Sequence, residues 1–64
     1  MKRAKLVKHL QRHQCAPLRE GARHTVFRKV GTNRQTAVPR HTEIHANMVR
    51  KICKDLDVPI PGEK

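Results

Sequence analysis

The segment Gly21-Ala22-Arg23-His24-Thr25-Val26-Phe27 places one histidine between a glycine turn and an apolar run, with Arg28 and Lys29 following directly. An imidazole of ordinary pKa, about 6.5, both takes and gives a proton near neutrality. Beside cations that hold phosphate, such a ring can promote attack of an RNA 2′-hydroxyl on the neighbouring phosphorus, or protonate the leaving 5′-oxygen, with no metal. A lone histidine on a short strand is by base rate a surface or partly buried residue without chemistry. The surrounding positive charge is what raises His24 above that reading. Arg23, Arg28 and Lys29 are the nearest phosphate-holding candidates in the chain.

A second cluster is Arg40-His41-Thr42-Glu43-Ile44-His45. Its spacing is HxExH, not the HExxH that sets two histidines on one helical face with a base beside them, so no zinc site is expected from it. A third ligand has no evident source, although His9 and His13 form an i, i+4 pair. His41 has two readings: a polar loop residue ahead of a helix, or a second proton-transfer or phosphate-contacting group. Arg40, its neighbour, joins the RNA-binding candidates. Phe27 is the single aromatic residue, and a small sheet needs it as an apolar anchor more than as a stacking platform.

The charge agrees with a polyanionic partner. Fifteen Lys and Arg against five Asp and Glu give a formal net charge of +10, and residues 1–40 hold eleven of those bases with one acid, Glu20. Such a field attracts RNA, DNA, an acidic membrane or an acidic protein. Membrane is the weakest of these, because the basic helix described below has a narrow apolar stripe and no Trp or Phe for the interface. No signal peptide or membrane span is legible. Cys15 and Cys53 are too few and too distant for a disulfide framework or a CxxC site, so the cytoplasm, with both thiols reduced, is the expected compartment.

At 64 residues the chain holds one small unit with a modest core, expected over residues 1–58, with 59–64 as a tail. Residues 2–14 place Leu6, Val7 and Leu10 on one side of a 3.6-residue period and read as a short basic helix that ends before Pro17. Residues 17–20 read as a brief strand and Gly21 as a turn. Residues 24–30 form a second strand, with His24, Val26, Arg28 and Val30 on one face and Thr25, Phe27 and Lys29 on the other. Gly31 and Asn33 turn the chain into a third strand, Gln35 to Val38, which Pro39 ends. Met48, Val49, Ile52, Cys53 and Leu56 define a last helix, begun near Thr42 or His45 and closed by Pro59. The fold class is therefore α+β, in the order α-β-β-β-α. A three-stranded antiparallel sheet carries both helices on one face and leaves the other open for nucleic acid. The strand region is too long for a helix-turn-helix regulator.

With these residues in view, the chain resembles the HicA-type toxins, small messenger RNA-cleaving partners in toxin-antitoxin pairs, over roughly residues 3–58. The histidine and aromatic of that family's pattern are matched by His24 and Phe27, and its strand end by Ala37-Val38-Pro39. Its closing helix is matched by Val49-Arg50-Lys51-Ile52-Cys53-Lys54-Asp55-Leu56. The segment AVPRHTEI followed by RKICKDL carries more of the likeness than the histidine does. The resemblance implies a fold like the double-stranded RNA-binding domain, a ribonuclease with His24 as its key residue, a HicB-type antitoxin and no cofactor. Through such an antitoxin complex the protein would reach DNA only indirectly. One departure stands out: Ala22-Arg23 precedes His24 where the family pattern has Gly-Ser, so the usual hydroxyl is missing. The alternative function is a basic RNA-binding module without catalysis, regulatory or ribosome-associated.

Overall fold

The computed structural model describes residues 1–61. Its elements run α1 (Arg3–Arg12), β1 (Cys15–Glu20), β2 (His24–Lys29), β3 (Gln35–Pro39) and α2 (Ala46–Leu56). The strands form one antiparallel sheet in the order β1-β2-β3. This is the α-β-β-β-α arrangement of the double-stranded RNA-binding-domain-like fold. No helix among the described residues is long and apolar enough to cross a membrane.

Alternation along the strands decides where the core lies. Thr25 and Phe27 of β2 and Thr36 and Val38 of β3 turn inward, and all four are buried. Leu6 and Leu10 of α1 and Val49, Ile52, Cys53 and Leu56 of α2 meet them in one apolar cluster that also takes in Cys15, Ile44 and Val58. Both helices therefore cover the same face of the sheet, and the face bearing His24, Val26 and Arg28 stays open. Fully burying a side chain the size of Leu or Phe stabilises by about 1.5–3 kcal/mol, so this small set carries most of the fold.

Each turn has a local cause. Gln14, at φ 67°, reverses the chain after α1, and Gly31, at φ 85°, sits in the β2–β3 turn where an L side chain is disfavoured. Thr32 braces that turn by donating from its hydroxyl to the Lys29 carbonyl at 2.9 Å. His45 caps α2, its Nδ1 accepting from the Asn47 amide at 3.2 Å. Asp57 closes α2 in the left-handed conformation at φ 56°.

Several details differ from the sequence expectation. β1 begins at Cys15 rather than 17, and Pro17 lies within it, tolerated because β1 is an edge strand. The β1–β2 register shifts between Pro17 and Arg19, leaving Leu18 unpaired and 49% exposed. Val30 falls in the turn beyond β2 and is 58% exposed. Met48, expected on the apolar stripe of the last helix, is 37% exposed. Of the expected tail, Ile60 packs against the core and the Pro59 carbonyl accepts from His9 Nε2, while residues 62–64 lie outside the described residues.

A short backbone strap ties the start of the chain to the segment that follows β3. The Arg3 amide donates to the Thr42 carbonyl and the Ile44 amide to the Met1 carbonyl, each at 2.8 Å. Lys2 and Glu43 form an isolated bridge between these bonds. The strap matters because it anchors the residues just beyond His41.

Candidate functional site

The open end of the β2–β3 ladder brings together four of the six residues singled out in the sequence. His24 pairs with Pro39 in the register, and the ladder runs one step further, with the Arg40 amide donating to the Arg23 carbonyl at 3.1 Å. Arg23 and Arg40 thus stand opposite one another, with His24 and His41 beside them. These four residues line a cleft of about 480 Å³. All four are exposed, and the His24 ring is not sealed in the apolar interior.

The glycine before this histidine has a steric reason. The Gly21 amide donates to the His24 carbonyl at 2.7 Å and closes the β1–β2 turn. A Cβ at position 21 would lie 3.1 Å from that same oxygen, tighter than ordinary packing allows without a shift. The turn fixes where β2 starts, and hence where the imidazole stands.

Beneath the cleft runs a polar chain that the sequence reading missed. Arg3 donates from Nε to the Pro39 carbonyl at 2.9 Å and from Nη2 to Thr25 Oγ1 at 3.1 Å. The Thr25 hydroxyl donates onward to Glu20 Oε1 at 3.1 Å, and the same oxygen lies 3.4 Å from Arg40 Nη1. That nitrogen also donates to the Gly21 carbonyl at 3.2 Å. A helix, all three strands and the first turn are thereby tied at one point. Two signals in the sequence point to it: Glu20 is the sole acid of residues 1–40, and Thr25 is a polar residue in the core-facing register of β2.

Arg28 and Lys29 lie elsewhere. Lys29 is five residues along β2 from His24, about 16 Å at the rise of an extended strand. Arg28 Nε donates to the Thr32 carbonyl at 3.2 Å, and Lys29 Nζ to the Asp57 carbonyl at 2.8 Å. Adjacency in sequence placed them beside His24, but an extended strand carries them away. Of the remaining histidines, His9 and His13 stack obliquely on α1 with ring centroids 4.6 Å apart. Among the described residues no three His, Cys, Asp or Glu side chains gather as a metal-ion site.

The electrostatics of the cleft favour an anion. Arg23 and Arg40, paired through the backbone one step beyond the strands, bring two like charges to the same end of the sheet, and Glu20 offsets this only on the Arg40 side. The side chains of Arg23, His24 and His41 make no hydrogen bond among the described residues, so their donors remain available. Planar guanidinium forks and imidazoles are the side chains suited to hydrogen-bonding an anion such as a phosphodiester.

A family model described as HicA toxin of bacterial toxin-antitoxin matches residues 3–58. No curated protein and no solved structure matches the chain.

Proposed function

The chain belongs to the HicA toxin family of bacterial toxin-antitoxin pairs, and from that membership we propose that it is an endoribonuclease that cleaves messenger RNA by proton transfer through His24. The observation that carries this reading is the meeting of Arg23, His24, Arg40 and His41 in one exposed cleft. Arg23 and Arg40 hold the non-bridging oxygens of a phosphodiester and neutralise the charge that grows on them at the transition state. One imidazole takes the proton of the 2′-hydroxyl as its oxygen bonds to phosphorus, and a second group returns a proton to the 5′-oxygen as the P–O5′ bond breaks. The products are a 2′,3′-cyclic phosphate and a free 5′-hydroxyl, with every proton accounted for and no metal ion required. His41 is our candidate for the second group. Arg28, on the open face of β2, is our candidate for a neighbouring phosphate of the same strand, whereas Lys29 is engaged at the end of α2.

The partner that follows from this reading is a HicB-type antitoxin, acidic or otherwise able to neutralise the cleft, through which the complex would associate with DNA indirectly. The compartment that suits messenger RNA and reduced thiols is the cytoplasm.

Incubation with RNA in EDTA tests the central step. The protein should generate fragments, and His24→Ala should cut at least about 100-fold more slowly while binding RNA with little loss. Equal cutting by both proteins would falsify the assignment of His24.

A second reading, a basic module that binds RNA without cutting it, draws support from the +10 charge and from Arg23 standing where the family pattern has serine. Growth separates the two. Arrest on expression that disappears with His24→Ala supports the toxin, and tolerated high-level expression supports the binder.

A further inference from the structure

A second hollow adjoins the cleft and has the opposite character. It is an apolar niche of about 200 Å³ lined by Pro39, His41, Glu43, Ile44, His45 and Met48. His41 lines both hollows, so the niche opens beside the place where the proposed function puts a phosphate. We propose that this niche holds the base of the nucleotide flanking the bound phosphate, so that the HTEIH segment serves as a base-binding wall. The inference rests on the proposed RNA-cleaving role for the cleft and assigns that site its contact with the nucleobase.

The chemistry of the walls suits a flat heterocycle. The proline ring, the imidazoles and the methionine thioether offer faces against which any base packs, in the way single-stranded RNA is held on ring platforms. Buried Ile44 supplies apolar surface. Glu43 is the one carboxylate present, and Lys2 Nζ, 3.2 Å from its Oε2, holds its charge in check. His45 Nδ1 is committed to the Asn47 amide, which leaves its proton on Nε2 as a donor for a base edge. Met48 also gains an explanation: an apolar residue at the start of α2 stays 37% exposed because it borders a hollow rather than the core. A hollow of about 200 Å³ is of the order of a single base, which suits single-stranded RNA with its bases splayed out. An antitoxin side chain is the competing occupant, and contiguity with the phosphate cleft through His41 favours the nucleotide.

The test compares two probes of equal charge, a 2′-O-methyl adenosine tetranucleotide and its abasic counterpart; the blocked 2′-oxygen keeps both intact on the full chain. The base-bearing probe should bind about ten-fold more tightly and shift the Met48 methyl resonance through its ring current, while the abasic probe should not. Met48→Ala, at an exposed helical position, should erase most of that preference and leave abasic affinity unchanged. Leu18→Ala should alter neither. A preference that survives Met48→Ala, or a Met48 methyl unmoved by a bound base-bearing probe, overturns the proposal. So does a methyl that responds to a HicB-type antitoxin but not to RNA. If neither probe binds, the nucleic-acid reading falls and the niche falls with it. If His24→Ala cuts normally while the base preference behaves as stated, the niche stands and only the catalytic assignment fails.

Discussion

At the scale of single residues, the basic side chains of β2 and of the positions just beyond the β2–β3 ladder separate by what they already hold. Arg23 is free among the described residues, Arg40 shares Glu20 at 3.4 Å, and Lys29 is engaged with the Asp57 carbonyl at 2.8 Å. Removing Arg23 or Arg40 should therefore weaken RNA binding across sequences and lower the slope of log affinity against log salt by about 1 each. Fluorescence titration of labelled RNA over a salt series measures this, and unchanged slopes for both variants would take the phosphate out of the cleft. Lys29→Ala should act differently, loosening the C-terminal end of α2 by about 1 kcal/mol and leaving cleavage at the cleft near normal. Chemical denaturation alongside a cutting assay separates the two effects.

At the scale of elements, the site depends on the Arg3–Thr25–Glu20–Arg40 chain, because it ties α1 to the strand ends that carry His24 and Arg40. Thr25→Val keeps the shape of a core-facing side chain but leaves the half-buried Arg3 guanidinium and the exposed Glu20 carboxylate without their shared hydroxyl. It should cost about 1–3 kcal/mol of stability and slow cutting more than it weakens RNA binding, since the arginines remain while the geometry loosens. A variant as stable as the parent would show that the chain does not hold the site. α2 is secured through Asp55, whose Oδ2 accepts from Lys51 Nζ at 2.8 Å and Thr36 Oγ1 at 2.9 Å. The Lys51 hydrogen bond first, and then that of Thr36, hold this carboxyl below its ordinary 3.8. A depressed folded value means that the contribution is full above the unfolded value and is lost as pH falls through the folded one. Melting temperature should accordingly drop below about pH 4, and Asp55→Asn should melt lower at pH 7 with a shallower acid decline. The side chain is 35% exposed, so the effect is screened and small.

At the scale of the whole molecule, the same apolar cluster that carries the fold encloses both thiols. Burial raises the Cys15 and Cys53 thiols above their ordinary value, with nearby Lys29 opposing the shift at Cys15 and Cys15 itself adding to it at Cys53. Neither is therefore a ready nucleophile in the folded state. Labelling by a thiol reagent at pH 8 should be slow and should accelerate with denaturant in step with global unfolding. Rapid labelling of either cysteine without denaturant would show that the core opens locally. A fold this small has little stability in reserve, and a partner that binds only the folded form stabilises it by mass action. An antitoxin seated on the cleft would thus both block the imidazole and raise the melting temperature.

The sequence by itself determined the element order, because the 3.6-residue stripe of α2, the glycine turns and the two-residue alternation around Phe27 are local signals. It also singled out His24 as a candidate and gave the net positive charge of the chain, since residue type and net charge need no coordinates. What only tertiary structure decided is which cations share a space with that histidine. Neighbours along an extended strand diverge at about 3.3 Å per residue, so Arg28 and Lys29 moved away from His24, while antiparallel pairing of β2 with β3 carried in Arg40 and His41 from just beyond the end of β3. The Arg3–Thr25–Glu20 support and the exposure of Met48 were hidden for the same reason. Each depends on contacts between residues distant in the chain, and such contacts exist only once the register is set and the helices have docked.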